Sequence, residues 1–278
     1  MNYRHIFHAG NFADVVKHSV LTLLLKSLHR KDTPFCYLDT HAGAGRYDLT
    51  CEAAQKTGEY RDGILRLWHA PPLPELADYL TAVRAINADG TLRYYPGSPL
   101  IARFFLRPQD RMVLLELQPD ESAQLKTVFM ADRQVTVAAQ DGYAGLKAFL
   151  PPKEKRGLVL IDPPYESDRE YEQVIKGLRI AHARWDSGIF AMWYPIKSRP
   201  PVARFHRALL ASGIHKILVV EFCPYPEDSS FRLNGCGVVV VNPPWKLDEM
   251  LQAVLPKLLV VLGQHPAGRS SISWLAPE

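Results

Sequence analysis

Apolar runs and amphipathic stretches alternate along most of this chain. Residues 11–28 carry valines and leucines at helical spacing behind Asn11, a plausible N-cap, and therefore predict a helix. Four short apolar runs predict buried strands, and helical patterns separate them: 35–38, 111–115, 134–137 and 158–161. This alternation of strand and helix predicts an α/β fold with a doubly wound sheet.

The rest of the chain adds further elements and one long insertion. Residues 46–95 separate the first two strands, which is more than a βα connection needs, and they contain two amphipathic patterns. We therefore predict that residues 46–95 form an inserted, mostly helical subdomain, with a long ordered loop as the alternative. Later elements are predicted as strands at 188–193, 216–221, 237–241 and 271–274 and a helix at 247–261.

The composition narrows the class of protein. The 278 residues are 47% hydrophobic and 22% charged, which is ordinary for globular proteins. A formal charge of +4 and a pI near 8.8 permit a nucleic-acid partner without requiring one. Four cysteines without a C-x-x-C pair predict a reduced, cytoplasmic protein without a metal site. No segment predicts a signal peptide or a membrane-spanning helix.

An acidic, glycine-rich turn follows the first strand. Residues 39–45 are Asp-Thr-His-Ala-Gly-Ala-Gly, and glycines in such a turn let backbone N–H groups approach a ligand closely. A nicotinamide dinucleotide site is the obvious rival. Its fingerprint, however, needs a third glycine and a ribose-binding acid about 20 residues further on. No third glycine stands at that spacing, so the rival is disfavoured.

Acidic residues also end the next two strand regions. Glu116 follows the second strand, where a carboxylate can accept hydrogen bonds from two ribose hydroxyls. Asp141 and Gly142 follow the third strand, where an acid can pair with the amino group of an adenine. Each acid has an alternative interpretation as a helix N-cap or a turn residue.

The fourth strand ends in Asp162-Pro163-Pro164-Tyr165. Its lack of polar alternation is typical of a strand covered on both faces, so Asp162 is expected at the carboxyl edge of a parallel sheet, where ligands bind. The prolines stiffen the corner and leave only carbonyl groups. A carboxylate, carbonyls and an aromatic ring suit a planar group that carries an NH2. A strand terminator with a surface tyrosine is the alternative.

As an ordered set, these turns resemble the Rossmann-like S-adenosylmethionine-dependent methyltransferases that act on exocyclic amino nitrogens. The Asp162 carboxylate and the Pro163 carbonyl would accept hydrogen bonds from the two N–H groups of an adenine N6. These bonds would direct the lone pair of the nitrogen at the sulfonium methyl group. Asp162 could also take the proton. Tyr165 would stack on a base withdrawn from its own helix.

A second corner has nearly the same pattern. Residues 238–241 are followed by Asn242-Pro243-Pro244-Trp245. This corner comes several strands after the glycine turn, whereas Asp162 stands beside the expected cofactor edge. Topology therefore favours Asp162 as the functional corner and predicts that Asn242 belongs to a structural one.

The beginning of the chain is rich in polar and aromatic side chains, and Asp14, Lys17 and His18 follow on the first predicted helix. A histidine on an apolar helix is more often a satisfied core residue. We nevertheless favour cofactor contact for His18, because His41 in the glycine turn would converge on the same pocket. Ser98-Pro99 predicts the N-cap and first position of a helix, where a methionine carboxylate could dock.

Six motifs carry a closer resemblance: FHAGNFADVVKH, YLDTHAGAGRY, LRYYPGSPLIAR, LIDPPYE, MWYP and VVNPPWKL. Essentially from end to end the chain resembles the RlmJ family, the bacterial adenine-N6 methyltransferases of 23S rRNA. The resemblance implies a Rossmann-like methyltransferase domain of residues 1–45 and 96–278, interrupted by the helical subdomain 46–95. It also implies that Asp162 is the catalytic acceptor and that Tyr3 assists the substrate. Together with Gly43 of the glycine turn, the implied contacts to S-adenosylmethionine are His18, His41, Ser98, Glu116, Asp141, Gly142 and Asp162.

The expected partner is 23S rRNA, protein-free or early in assembly, and the expected state is a monomer. Basic clusters at 153–156 and 197–207 are consistent with RNA binding, although most such residues form solvated surface. Two other functions stay open. A DNA amino-methyltransferase is disfavoured because no large target-recognition domain is added. A noncatalytic RNA-binding ribosome assembly factor is disfavoured because Gly43, Gly45, Asp162 and Tyr165 are intact.

Overall fold

The computed structural model describes residues 3–167, 169–226 and 233–277. In this part of the chain the strands are β1 (Cys36–Asp39), β2 (Arg46–Asp48), β3 (Tyr94–Pro96), β4 (Arg111–Leu115), β5 (Val135–Ala138), β6 (Gly157–Ile161), β7 (Ile189–Ile196), β8 (Ile217–Cys223), β9 (Gly235–Val241) and β10 (Arg269–Ala276). The α-helices are α1 (Phe12–Leu28), α2 (Glu52–Thr57), α3 (Ile64–His69), α4 (Ala77–Ala85), α5 (Ser98–Phe105), α6 (Pro119–Val128), α7 (Gly142–Phe149), α8 (Arg169–Arg184), α9 (Arg199–Leu210) and α10 (Leu247–Leu262). Short 3-10 helices lie at His5–Phe7, Glu59–Asp62 and Pro74–Leu76. Among the described residues, no helix combines the length and the apolarity that crossing a bilayer requires.

Eight of the described strands form one sheet, in the order β10-β8-β9-β7-β6-β1-β4-β5. All neighbours from β7 to β5 are parallel, whereas β9 is antiparallel to β7 and β8, and β10 is antiparallel to β8. One hydrophobic core lies under α1, α5 and α10, and a second lies on the opposite face under α7, α8 and α9. The result is the Rossmann-like α/β fold that the apolar runs and motifs predicted.

Helix α1 is buried around almost its whole circumference, because it lies between the sheet and helices α4, α5 and α10. Asn11 caps the helix as predicted, accepting a hydrogen bond from Asp14 N at 2.9 Å. Three ionisable side chains on this helix are buried: Asp14, Lys17 and His18. Charged groups are seldom buried unless they are paired, so each of them requires partners.

Residues 46–95 are mostly helical, as predicted, and contain α2, α3 and α4. The two ends of this segment are joined by an antiparallel ladder between β2 and β3. Most of its buried side chains, including Ile64, Tyr79 and Val83, belong to the same core as α1. The segment therefore packs directly on the helix that carries the buried charges. Its status as a separate subdomain stays a prediction.

Candidate active site

Three neighbouring strands bring acidic residues to one edge of the sheet. Strand β1 pairs in parallel with β4 on one side and with β6 on the other. Asp39 is the last residue of β1, Glu116 directly follows β4, and Asp162 directly follows β6. Because the carboxyl ends of parallel strands share an edge, these residues lie where open α/β folds bind ligands.

A cavity of about 200 Å³, here called the first cavity, opens at this edge. Every residue predicted to bind the cofactor lines it, as does Tyr3. The predicted set is His18, His41, Gly43, Ser98, Glu116, Asp141, Gly142 and Asp162. These residues come from six separate segments of the chain, so the fold brings them together. Their individual roles stay predictions, which this convergence supports.

Two glycines of the first cavity cannot carry a side chain. Gly43 has a φ of +61°, and a Cβ atom there would lie 2.2 Å from the Tyr47 hydroxyl oxygen. A Cβ atom on Gly142 would lie 2.1 Å from the Thr40 carbonyl oxygen. Glycine is therefore required at both positions, and backbone forms this part of the cavity wall.

Glu116 and Asp141 bind backbone groups and also face the first cavity. The two carboxylate oxygens of Glu116 accept hydrogen bonds from Gly43 N at 2.8 Å and from Gln118 N at 2.7 Å. Asp141 caps α7 by accepting a hydrogen bond from Ala144 N at 2.7 Å. The N-cap interpretation of Asp141 is thus correct. It leaves room for a ligand, because each carboxylate oxygen can accept more than one hydrogen bond.

His18 is fully buried, lines the first cavity and has one unpaired ring nitrogen. Its Nδ1 lies 2.7 Å from the Tyr95 hydroxyl oxygen. Among the described residues, none is a hydrogen-bond partner for Nε2. Burial, reinforced by the charge of Lys17, lowers the pKa of His18 well below its ordinary value, so the ring is neutral. A buried polar atom without a partner at a cavity wall indicates a ligand site.

Ser98 is the first residue of α5, and Gly97 is the N-cap, so the prediction of Ser98 as N-cap was wrong by one position. The reason is that the Ser98 hydroxyl donates to Asp39 Oδ2, at 2.7 Å, instead of capping the helix. Asp39 also accepts a hydrogen bond from the Tyr37 hydroxyl at 2.7 Å. Burial raises the pKa of Asp39 to about 6, although these two hydrogen bonds oppose the shift.

His41 converges on the first cavity with His18, as predicted. Its Nδ1 lies 2.8 Å from Thr40 Oγ1, and its ring meets the Tyr143 ring edge to face, with centroids 5.3 Å apart. Burial lowers the pKa of His41 to about 4. Both histidines are therefore neutral near pH 7 and offer hydrogen bonds without adding charge.

A larger cavity of about 1000 Å³, here called the second cavity, adjoins the first. Residues common to both walls are Tyr3, His5, Lys17, Asp162, Pro164 and Glu166. Tyr165, Trp193 and Lys197 line the second cavity. Asp162 therefore stands at the junction of the two cavities.

Lys17 is the buried cation that holds Asp162. Its Nζ lies 2.5 Å from Asp162 Oδ2 and 2.8 Å from Asp14 Oδ1. Burial disfavours the charged amine, but the two carboxylates outweigh burial and raise the pKa of Lys17. The ammonium group therefore persists and fixes the position of the Asp162 carboxylate at the junction.

A chain of side-chain contacts continues from Lys17 to the beginning of the protein. Asp14 Oδ2 lies 2.9 Å from His5 Nε2, and His5 Nδ1 lies 2.8 Å from the Tyr3 hydroxyl oxygen. Burial opposes ionisation of Asp14, but His5 and Lys17 hold its pKa well below the usual value. Tyr3 is thus connected to Asp162 through three buried or half-buried side chains.

Sequence reasoning missed the role of His5 and the ion pair of Lys17. The signal that could have revealed the ion pair is the placement of Asp14 and Lys17 three residues apart on an otherwise apolar helix. Their third partner, Asp162, is 145 residues away from Lys17, and no local pattern identifies it.

Two further residues of the predicted catalytic set lie less directly at the junction. Pro163 is buried and is not among the residues that line either cavity, whereas its neighbour Pro164 lines both. Tyr165 has a φ of +47° and is only 7% exposed. Its hydroxyl donates to the Trp193 carbonyl at 2.8 Å, and its ring packs on Tyr171 with centroids 4.8 Å apart. Stacking of Tyr165 on a base stays a prediction.

The second corner lies at the opposite edge of the sheet. Strand β9 is antiparallel to β7, so its carboxyl end points away from the edge that carries Asp162. Asn242 has a φ of +54°, and its amide nitrogen donates to the carbonyls of Asp186 and Gly188 at 2.7 and 2.8 Å. These contacts stabilise a turn, which agrees with the interpretation of Asn242 as part of a structural corner.

The two basic clusters begin at different edges of the sheet. Residues 153–156 precede β6 and so lie away from Asp162, and Arg156 donates to the Thr33 carbonyl at 2.8 Å. Lys197 directly follows β7 and lines the second cavity. Lys197 is therefore the cluster residue that borders the candidate site.

Comparison with known proteins identifies the family. Residues 32–276 match the family model described as ribosomal RNA large subunit methyltransferase D, RlmJ. The chain belongs to this family. Over the full length of both proteins it is 47% identical to ribosomal RNA large subunit methyltransferase J of Escherichia coli and 45% identical to the protein of that name of Haemophilus influenzae.

A solved structure is similar over the same extent. A crystal structure of a Legionella pneumophila protein shares 36% sequence identity, covers 96% of this chain and 98% of its own, and superposes with a TM-score of 0.89. The recognition of the RlmJ family from sequence motifs is therefore confirmed. The Rossmann-like fold is confirmed with it.

Proposed function

We propose that this RlmJ-family protein transfers a methyl group from S-adenosylmethionine to the N6 amino group of an adenine in 23S rRNA. Both curated relatives are named ribosomal RNA large subunit methyltransferase J, which supports the reaction class and the rRNA substrate. The observation that carries the finer proposal is the position of Asp162 on the walls of both cavities. A carboxylate at that junction can reach an amino group in one cavity that faces a cofactor in the other.

The first cavity suits the cofactor. When bound, S-adenosylmethionine supplies an electrophilic methyl group on a sulfonium centre. Gly43 and Gly142 leave backbone at the wall, and the unpaired Nε2 of His18 marks a polar contact there. Glu116 would accept hydrogen bonds from the ribose hydroxyls, and Asp141 would accept one from the adenine amino group. His18 and the first turn of α5 would hold the methionine carboxylate, because the N-terminus of a helix binds anionic groups.

The Asp162 corner would orient the target nitrogen. The lone pair of an adenine N6 is delocalised into the ring, which makes the nitrogen a poor nucleophile. Hydrogen bonds to the Asp162 carboxylate and the Pro163 carbonyl would favour a pyramidal nitrogen with its lone pair directed at the first cavity. Because Lys17 binds Oδ2 of Asp162, the other carboxylate oxygen, Oδ1, can accept the hydrogen bond from the base.

Asp162 is also placed to accept the proton that the nitrogen loses. The Lys17 ammonium binds Oδ2 of Asp162 and holds the carboxylate at the junction, where Oδ1 can act as the base. Side-chain contacts from Lys17 through Asp14 and His5 to Tyr3 connect the Asp162 carboxylate to the beginning of the chain. Tyr3 would assist the substrate because it lies on the walls of both cavities.

The second cavity suits a base withdrawn from its RNA helix. Its volume of about 1000 Å³ falls within the size range of ligand pockets that enclose whole small molecules. The rings of Tyr165 and Trp193 would replace the stacking that the base loses. Lys197 would contact a backbone phosphate.

The proposed substrate is 23S rRNA that is protein-free or early in assembly, and the proposed acting form is a cytoplasmic monomer. The test is methyl transfer from labelled S-adenosylmethionine to protein-free rRNA from cells that lack this enzyme, followed by nucleoside analysis. We expect N6-methyladenosine in the large-subunit RNA, and less label in assembled subunits.

The same experiment separates the alternatives. Duplex DNA serves as a parallel substrate, and label incorporated into DNA but not RNA would contradict the proposal. A labelled nucleoside other than N6-methyladenosine would contradict the assignment of the target atom. Cofactor binding without transfer to RNA, particles or DNA would favour a noncatalytic assembly factor.

A further inference from the structure

Two tyrosines from the inserted segment and its closing strand lie behind His18. Tyr79 is on α4, and Tyr95 is on β3. Their hydroxyl oxygens are 3.0 Å apart, and the Tyr95 hydroxyl oxygen lies 2.7 Å from His18 Nδ1. All three side chains have 0% exposure. They form a buried row of hydrogen bonds that ends at the wall of the first cavity.

The hydrogens in this row can be placed by counting donors and acceptors. Among the described residues, the Tyr79 hydroxyl has no hydrogen-bond partner other than Tyr95. If Tyr79 donates to Tyr95, then Tyr95 can donate to His18 Nδ1, and each hydroxyl hydrogen is used. In the reverse arrangement the Tyr79 hydrogen would be buried without an acceptor, which is costly. The first arrangement is therefore favoured.

This arrangement determines the tautomer of His18. A neutral imidazole carries its hydrogen on one nitrogen only, so an Nδ1 that accepts a hydrogen bond leaves the hydrogen on Nε2. Nε2 is the atom without a partner among the described residues, and His18 lines the first cavity. The row therefore leaves an uncharged N–H donor without a partner on a residue that lines the first cavity.

We propose that the tyrosines of the inserted segment position His18 as a donor to the carboxylate in the methionine part of the cofactor. This inference rests on the proposed function, because it takes S-adenosylmethionine as the ligand. A carboxylate accepts hydrogen bonds and donates none, so the other tautomer of His18 would place two acceptors against each other. Ser98, in the first turn of α5, lines the same cavity, and a helix N-terminus also favours a negative group. Tyr79 and Tyr95 are positioning residues that act through His18.

The test compares two ligands that differ in the part His18 would contact. S-adenosylhomocysteine carries the carboxylate, whereas 5′-methylthioadenosine lacks the amino-acid part. For Tyr95→Phe we expect affinity for S-adenosylhomocysteine to fall about 3- to 10-fold, as for the loss of one hydrogen bond. Affinity for 5′-methylthioadenosine should change by less than about 2-fold. Tyr79→Phe should produce a smaller loss with the same ligand selectivity, because Tyr95 keeps its bond to Nδ1.

The matched control is Tyr94→Phe, because Tyr94 lies on the same strand but packs against Arg93 and Arg46. Its binding of both ligands should equal that of the wild type. Nitrogen NMR of the imidazoles, assigned with His18→Gln, reports the tautomer directly. We expect the Nε2–H form in the wild type and an increased Nδ1–H share in Tyr95→Phe.

The outcomes separate this inference from the proposed function. An Nδ1–H tautomer in the wild type would overturn the inference while leaving the cofactor assignment intact. Equal losses for both ligands in Tyr95→Phe would overturn it too, since they would show a general structural role. If the wild type binds neither ligand, the cofactor assignment fails and the inference fails with it.

Discussion

Two corners of this protein share a sequence pattern and differ in their surroundings. Each follows a buried strand and contains a polar side chain, two prolines and an aromatic ring, beginning at Asp162 after β6 and at Asn242 after β9. Asp162 lies against Lys17 at the junction of two cavities, whereas Asn242 donates to two backbone carbonyls. The aromatic ring is 7% exposed in the first corner, at Tyr165, and 78% exposed in the second, at Trp245.

The direction of the strand accounts for this difference. Strand β6 is parallel to β1 and β7, and β1 is parallel to β4, so Asp162 shares an edge with Asp39 and Glu116. Strand β9 is antiparallel to both of its neighbours, so Asn242 lies at the edge where the parallel strands begin. A motif of this kind therefore acquires its chemistry from the edge of the sheet to which its strand delivers it.

The two corners should differ most in how much methyl transfer is lost when the polar residue is replaced. Asp162→Asn keeps the shape but removes the charge, so we expect methyl transfer to fall roughly 10²- to 10⁴-fold, the usual range for a general base. Asp162→Ala should abolish transfer in a protein that thermal unfolding shows to be folded. Adding Asn242→Asp to Asp162→Asn should restore nothing. Near-normal turnover of either Asp162 variant would sink the assignment.

The second-largest loss of methyl transfer is expected when Lys17, the cation that binds Asp162, is replaced. Lys17→Met leaves the Asp14 and Asp162 carboxylates without their shared cation, so transfer should fall about 10- to 100-fold, as for a hydrogen bond to a charged group. The unfolding free energy should fall by about 3 kcal/mol, because buried carboxylates lose their partner. Urea unfolding and turnover measure the two effects. Lys246→Met, beside Trp245 in the second corner, is the matched control and should change neither.

The contacts that lead away from the functional corner should matter less. Tyr3→Phe keeps the ring stacked on His8, with centroids 5.5 Å apart, but removes the hydroxyl contact to His5. We expect transfer to fall about 3- to 30-fold, the range for one hydrogen bond in a partly buried network. His5→Gln interrupts the same chain, so the double variant should be little worse than the poorer single variant. Additive losses would show that the two residues act independently.

The two edges of the sheet should also differ in how their histidines make the stability of the protein depend on pH. The pKa of His41 is lowered from 6.5 to about 4, so between these pH values the unfolded chain binds a proton that the folded protein does not. The contribution of His41 to stability is therefore complete above pH 6.5 and declines as the pH falls towards about 4, by up to about 1.4 kcal/mol per pH unit. His41→Gln should reduce this slope in cofactor-free urea unfolding. His215→Gln, at the opposite edge, should preserve it, and equal slopes in all three proteins would refute the prediction.

The smallest effect on activity is expected at the second corner. Asn242→Ala removes two hydrogen bonds and places alanine at a φ of +54°, so the unfolding free energy should fall by about 1–3 kcal/mol. Asn242→Gly restores the backbone freedom and should lose less. Transfer per folded molecule should stay within about 2-fold of the wild type in both variants. A specific loss of transfer in these stably folded variants would mean that the second corner takes part in catalysis.

The strands were predictable because they are short and almost wholly apolar, and all eight predicted strands are present with ends shifted by three residues at most. The convergence of Glu116, Asp141 and Asp162 followed from the parallel order of the strands they end. Ser98 was misplaced by one position because its hydroxyl binds Asp39, a tertiary contact that a local capping pattern does not contain.

The sequence by itself determined the α/β class, the edge at which Asp162 lies and membership of the RlmJ family, because apolar runs and motifs are local and record which segments are buried. Only the tertiary structure decided that Lys17 pairs with Asp162 across 145 residues and that Tyr95 reaches His18. It also decided the direction of β9 and hence the edge of the sheet at which the second corner lies. The physical reason is that periodicity reports whether a side chain is buried, whereas long-range packing selects the partner that a buried charge or donor must find.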